Sequence, residues 1–149
     1  EIQMADLLRE VRRRFDFCLL DAPAGLGRGF QLATCAADRC VVVTTADASS
    51  LRDAQHTVME LDRFPAGALH LVVNRVRKKL LRQLHATIDD AIDKAGLPLL
   101  GVVPEDDALP LCMNRGVPIL LADGQSAATA YRNIAKRLQG ERVPLLRIR

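Results

Sequence analysis

Apolar positions along the chain recur with two periods. Residues 2–14 carry Met4, Leu7, Leu8 and Val11 at helical spacing, which predicts an amphipathic helix. The run from Phe15 through Phe17, Cys18, Leu19 and Leu20 ends in Asp21 and reads as a buried strand. Pro23, Gly25, Gly27 and Gly29 make a loop, and Phe30 to Ala37 has the pattern of a short helix. Cys40 to Thr45 is a second strand, β-branched and apolar at successive positions, which predicts burial on both faces and hence a parallel sheet covered by helices.

Beyond it, Leu51, Ala54, Val58 and Leu61 fall on one helical face, and Ser50 with Asp53 has the spacing of a capping box. Leu69 to Asn74 is a third strand, and Arg75 to Arg82 is a basic connection. Thr87 and Asp90 form a second capping box ahead of Ile88, Ala91, Ile92 and Ala95, and Gly96 is placed to close that helix. Leu99 to Val103 is a fourth strand ending at Pro104. A helix starting at Asp106 or Asp107 ends at Gly116, with Pro110 in the first turn, where its missing N–H costs least. Pro118 to Leu121 reads as extended. Ser126 caps a last helix that turns Ala127, Tyr131, Ile134, Ala135 and Leu138 inward and ends at Gly140. Alternating strands and helices predict an α/β fold, a parallel sheet flanked by helices.

Composition narrows this. At 149 residues the chain is one domain's length. With 49% hydrophobic and 26% charged residues it is globular rather than disordered. Its net charge of +3 and its 3% aromatic content argue against nucleic acid as a partner, whether by backbone electrostatics or by base stacking. Apolar runs of about five residues are too short to span a membrane, and residues 1–15 lack a signal-peptide core. The cysteines at 18, 35, 40 and 112 have no C-x-x-C spacing, so zinc and thioredoxin-type readings fail. Cys18 and Cys40 are expected to be core thiols, and a cytoplasmic setting is expected with them.

Ligands of open parallel sheets bind at the carboxyl ends of the strands. Polar residues and turn-formers stand at the end of each predicted strand: Asp21-Ala22-Pro23-Ala24-Gly25, then Thr44 to Ser50, then Asn74-Arg75, then Pro104-Glu105-Asp106. An apolar strand ending in Asp before a glycine loop fits a Walker B element, whose carboxylate orients Mg²⁺. A turn residue explains Asp21 equally well, and helix capping accounts for Asp47, Asp53, Ser49 and Ser50. His56, His70 and His85 have no ligand spacing. Arg12 to Arg14 and the cations of 75–82 read as solvated surface.

In order and spacing, Phe15 to Gly25, Val43 to Ala54, Val72 to Val76, Leu100 to Asp106 and Asn114 to Pro118 resemble the second half of the MinD branch of the MinD/ParA family of P-loop ATPases. The ending Ala130-Tyr131-Arg132 with Leu138 to Glu141 does so too. The resemblance implies a partial P-loop NTPase fold, with residues 1–149 as the carboxyl-terminal part of one such domain. It implies that Asp21 supports Mg²⁺, through water, and that Pro23, Ala24 and Gly25 are a switch sensing the γ-phosphate. It implies that Asn74, with Arg75 beside it, bonds the adenine of ATP or ADP, and that Pro104, Glu105 and Asp106 pack on the base. Implied partners are a second copy in an ATP-dependent homodimer, a division inhibitor and a topological regulator. The implied setting is the cytoplasm, with reversible association to the inner face of the cell membrane.

The chain departs from the family at several points. The phosphate-binding G-x-x-x-x-G-K-[ST] does not occur, and no glycine is followed by lysine. Pro110-Leu111 stands where the family has Leu-Arg. The chain opens at Glu1 directly into a helical pattern, so it is expected to be a fragment unable to hydrolyse ATP alone. The family's membrane-binding helix would come after residue 149, and Leu145, Leu146 and Ile148 among arginines are too short an anchor. A ParA-like or flagellar-number regulator and a non-catalytic partner-binding module are the alternatives.

Overall fold

The computed structural model describes residues 3–83, 87–122 and 126–146. His85, Arg147, Ile148 and Arg149 lie outside the described residues. Three strands form a parallel sheet in consecutive order: β1 (Cys40–Thr44), β2 (Leu69–Val76) and β3 (Leu99–Pro104). Cys40 is paired with Leu69, Val42 with Leu71 and Thr44 with Val73; across the next ladder Val72 meets Gly101 and Val73 meets Val102. Parallel neighbours need a helical crossover. Those crossovers are α3 (Ala48–Glu60) between β1 and β2, and α4 (Lys78–Gln83) with α5 (Ile88–Ala95) between β2 and β3. The basic connection is thus helical in part. Before the sheet lie α1 (Met4–Arg12) and α2 (Arg28–Thr34); after it come α6 (Ala108–Asn114), a 3₁₀ turn (Ile119–Leu121) and α7 (Ser126–Leu138).

The sheet separates two cores. On one face Val42, Leu71 and Val73 meet Leu51, Ala54 and Leu61 of α3 and its end, and Ala91 and Ala95 of α5. On the other, Val72, Leu100 and Val103 meet Ile119 and the small face of α7, Ala127, Ala128 and Ala130. Alanines on α7 let the helix lie close to the sheet. The approach is closest at Gly101, where an added Cβ would sit 2.4 Å from Ile134 Cγ1. That is why a glycine interrupts an otherwise branched strand.

Local signals formed as expected at α5. Thr87 and Asp90 make both bonds of the capping box, and Gly96 ends the helix in the left-handed region at φ 66°. Elsewhere the structure corrects the sequence. At α3 the cap is Asp47, whose carboxylate accepts from the Ser50 N–H, rather than Ser50 itself. Pro118 is extended, but Ile119–Leu121 after it is a 3₁₀ turn. Leu7 and Ala135 face solvent, because α1 and α7 each rest on one narrow stripe.

Two larger corrections concern the first strands. Phe15 to Asp21 forms no strand, and Phe17 is 68% and Leu19 90% exposed. Among the described residues, residues 16–26 make no backbone hydrogen bond. A strand exists only through a neighbour's ladder, and this segment has none. Cys18 is accordingly exposed rather than a core thiol; Cys40 is half-buried. Likewise β1 is buried on one face only. Val42 and Thr44 point into the α3 side, while Val41 and Val43 are exposed, Val43 by 59%. Among the described residues no helix covers that face beside β1 as α7 covers β3.

Candidate functional site

The carboxyl ends of the three strands gather most of the polar residues singled out above. At the end of β1, the Asp47 carboxylate accepts from the Ser50 N–H at 3.0 Å, the Ser49 hydroxyl at 2.8 Å and the Thr45 hydroxyl. Thr45 and Ser50 hydroxyls lie 2.8 Å apart. The Ser50 N–H first, then the hydroxyls, hold the Asp47 carboxyl well below the usual carboxylate range. Between β1 and β2 a shallow cavity of about 270 Å³ is lined by Val43, Thr44, Thr45, Ser50, Asp53 and Asn74.

At the end of β2, half-buried Asn74 accepts the Arg75 N–H on its own side-chain oxygen at 2.9 Å. Arg75 sits in the left-handed region, φ 53°, which non-glycine residues rarely adopt. This turn aims its guanidinium across β2 and β3, where Nε donates to Glu105 Oε2 at 3.0 Å. Arg77 reaches the other oxygen at 3.4 Å. Arg75's hydrogen bond lowers the Glu105 pKa below its ordinary value. Glu105 is fixed from behind as well, its N–H donating to Val76 O at 3.0 Å.

Asp106 turns the other way. One oxygen accepts the Ala108 N–H at 3.1 Å, near the start of α6. The other accepts the Ala127 N–H at 3.1 Å and the Ser126 hydroxyl at 3.2 Å, so Asp106 caps α7 in place of Ser126. The Ala127 N–H is the main reason the Asp106 pKa is lowered. Asn74, Arg75, Pro104 and Glu105 are therefore brought together, and Asp106 is engaged beside them in holding two helices.

Asp21, Pro23, Ala24 and Gly25 form a separate, exposed loop. Asp21 has no hydrogen-bond or ion-pair partner among the described residues. Gly25 is left-handed, φ 89°, and Pro23 packs so close to Gly29 that a Cβ there would meet its ring at 2.5 Å. Sequence reasoning missed the left-handed Arg75 and the Arg75–Glu105–Arg77 cluster. The Asn-Arg pair at a strand end was the available signal.

Depressed carboxyl pKa values at Asp47, Asp90, Glu105 and Asp106 fix the sign of a pH dependence. Each folded value lies below its unfolded one, so the stabilisation is present above the unfolded pKa and is lost as pH falls through the folded one. Melting temperature should stay level from pH 7 to about 5 and fall below about 4. Asp47→Asn should flatten part of that fall. An equal fall in both proteins would remove Asp47 from the account.

A family model described as "Cellulose biosynthesis protein BcsQ" matches residues 2–138. Septum site-determining protein MinD of Bacillus subtilis is 37% identical over 145 residues, covering 96% of this chain and 54% of that protein. MinD of Synechocystis is 33% identical over 147 residues, covering 97% and 55%. The chain thus spans about half the length of these relatives. Among solved structures, Aquifex aeolicus MinD has a TM-score of 0.89 at 31% identity, covering 97% of this chain and 62% of that one. The MinC:MinD complex from the same organism gives 0.89 at 30%, covering 99% and 63%. MinD of Pyrococcus horikoshii, solved with Mg-ADP, gives 0.78 at 26%, covering 91% and 55%.

Proposed function

The chain belongs to the family described as cellulose biosynthesis protein BcsQ, and on that premise, joined to its likeness to MinD, we propose that it is the carboxyl-terminal half of a MinD-like P-loop ATPase acting in division-site selection. One observation carries the reading. Asn74 and Arg75 near the end of β2 stand beside Pro104, the last residue of β3, and Arg75 bonds to Glu105 just after it, at the carboxyl edge of a parallel sheet, where open α/β sheets bind ligands.

The residues present fit one end of Mg-ATP and not the other. The half-buried Asn74 amide and the Pro104 ring suit a purine base. Asp21, exposed and without a partner among the described residues, is a carboxylate free to hold water on Mg²⁺. The phosphates have no cradle, because no G-x-x-x-x-G-K-[ST] occurs in the 149 residues. We therefore assign no hydrolytic step to these residues alone. Under this reading the whole ATPase binds ATP or ADP with Mg²⁺, and Pro23 to Gly25 respond to the γ-phosphate. It dimerises on ATP and associates reversibly with the inner face of the cell membrane from the cytoplasm. Its partners are a division inhibitor, in keeping with the MinC:MinD complex of Aquifex, and a topological regulator. Among the described residues no helix is long and apolar enough to cross a membrane.

The test is Mg²⁺-dependent ATP turnover by the gene product purified from its source cells. Asn74→Ala should weaken adenine-nucleotide binding by about tenfold, the worth of one or two hydrogen bonds. A product without turnover or nucleotide affinity would leave a partner-binding module in its place. The family's description favours a second reading, an ATPase serving cellulose synthesis. Deleting the gene separates the two: misplaced septa support division-site selection, and loss of cellulose with normal septa supports the other.

A further inference from the structure

We infer that α4, in the crossover between β2 and β3, is a membrane-contact surface for the acidic headgroups of a phospholipid layer. The contact is made by Lys78, Lys79 and Arg82 with Leu80 among them. It rests on the membrane association proposed above and adds a site to it, but needs neither nucleotide nor a second copy.

Charge placement singles out this surface. Residues 75–82 hold five cations and no acid, against a net charge of +3 for the whole chain, so the remaining residues are acidic on balance. The arginines of α1 differ, because they have carboxylates of their own. Arg12 meets Asp38 at 2.7 Å, and Arg13 and Arg14 meet Glu10 at 3.5 and 2.9 Å. Beside α4, Glu105 is shared by Arg75 and Arg77. Lys78, Lys79 and Arg82 are exposed and form no ion pair among the described residues.

Local structure keeps these charges in solvent. The Leu81 N–H donates to Arg77 O at 3.0 Å, which closes the first turn. Leu81 packs on the core that α3 and α5 share, so one side of α4 is held against the fold. The rest of the turn is exposed, and one apolar side chain is exposed with it: Leu80, by 45%. Cations around an exposed leucine suit a membrane interface, where the charges meet headgroups and the leucine reaches the acyl boundary. A surface for single-stranded nucleic acid would call for stacking side chains, and residues 75–83 contain no Phe, Tyr or Trp. Each cation near an acidic surface raises partitioning about fivefold, so three give about a hundredfold. That is a reversible contact, since stable anchoring takes a second signal.

The experiment is vesicle flotation of the 149-residue chain without nucleotide. The vesicles are phosphatidylcholine, alone or with about one third phosphatidylglycerol. The chain should float with the acidic vesicles at low salt, not with the neutral ones, and should come off at about 0.5 M salt. Lys78→Gln, Lys79→Gln and Arg82→Gln together should lower partitioning by about a hundredfold, and Leu80→Ala alone by about threefold. Arg13→Gln with Arg14→Gln removes cations already paired with Glu10 and should change it by less than about twofold. All these side chains are exposed, so each variant should melt as the wild type does. Equal flotation with neutral vesicles, no flotation, or an equal loss in the α1 variant overturns the inference. So does tighter retention on duplex DNA than on acidic vesicles, because nucleic acid would then be the partner. The ATPase reading is judged separately, by turnover of the intact gene product, and stands whichever way the vesicles decide.

Discussion

Asp21→Ala in the intact gene product is expected to lower Mg²⁺-dependent ATP turnover by about 10–100-fold, the usual effect of removing a group that holds a metal through its outer shell. The same change should leave the melting temperature of the 149-residue chain unaltered. Asp21 is exposed, ends an unpaired segment and bonds to nothing among the described residues, so its removal takes away no contact. The two measurements together isolate the chemical role: a residue that mattered for folding would move both. Turnover at the wild-type rate would withdraw the Walker B assignment, and a matching loss in Asp21→Asn would locate the effect in the carboxylate's charge.

Gly101→Val is expected to be the most damaging single change to the fold. A Cβ at this position would stand 2.4 Å from Ile134 Cγ1 and 2.9 Å from its Cδ1. Neither side can yield easily, since β3 is held in the sheet and α7 is pinned at both ends. Asp106 caps its start, and near its end the Arg137 guanidinium donates to Leu100 O at 2.6 Å and to Val143 O. Overpacking a site of this kind costs about 1–3 kcal/mol or more, or roughly 5–10 °C in melting temperature for a chain this long. Ile134→Ala vacates both clashing carbons. The double variant should therefore be more stable than the sum of the single losses implies. Strict additivity by denaturant unfolding would mean that the valine is accommodated elsewhere.

How much of the fold is legible in the sequence depends on the range of each interaction. The three strands of the sheet, the Thr87–Asp90 capping box and the Gly96 terminator rest on residues within one turn or one run, and they formed where the pattern put them. Phe15 to Leu20 carries as strong an apolar signal as β1, but apolarity records a preference for burial and not the presence of a neighbour. For the same reason the pattern places Val41 and Val43 inside, although both are exposed. Asp106 is legible as a polar residue after a strand, yet its bond to Ala127 spans 21 positions, which no local pattern encodes. The site divides similarly. The resemblance points to Asn74 and the Pro104–Asp106 loop, whereas the left-handed turn at Arg75, which lets its guanidinium bond to Glu105, is visible only in the backbone.

The consecutive order of β1, β2 and β3 also sets a timetable for synthesis on the ribosome. Each new strand emerges next to the one just made, so long loops need not close before pairing begins. The α3 and α5 face can seal as soon as β3 brings in Val102, burying Val42, Leu71 and Ala91. The opposite face waits for α7, which follows β3. Until then Val72, Leu100 and Val103 have no cover, and a nascent chain halted between β3 and α7 would offer that bare face to chaperones or to its neighbours.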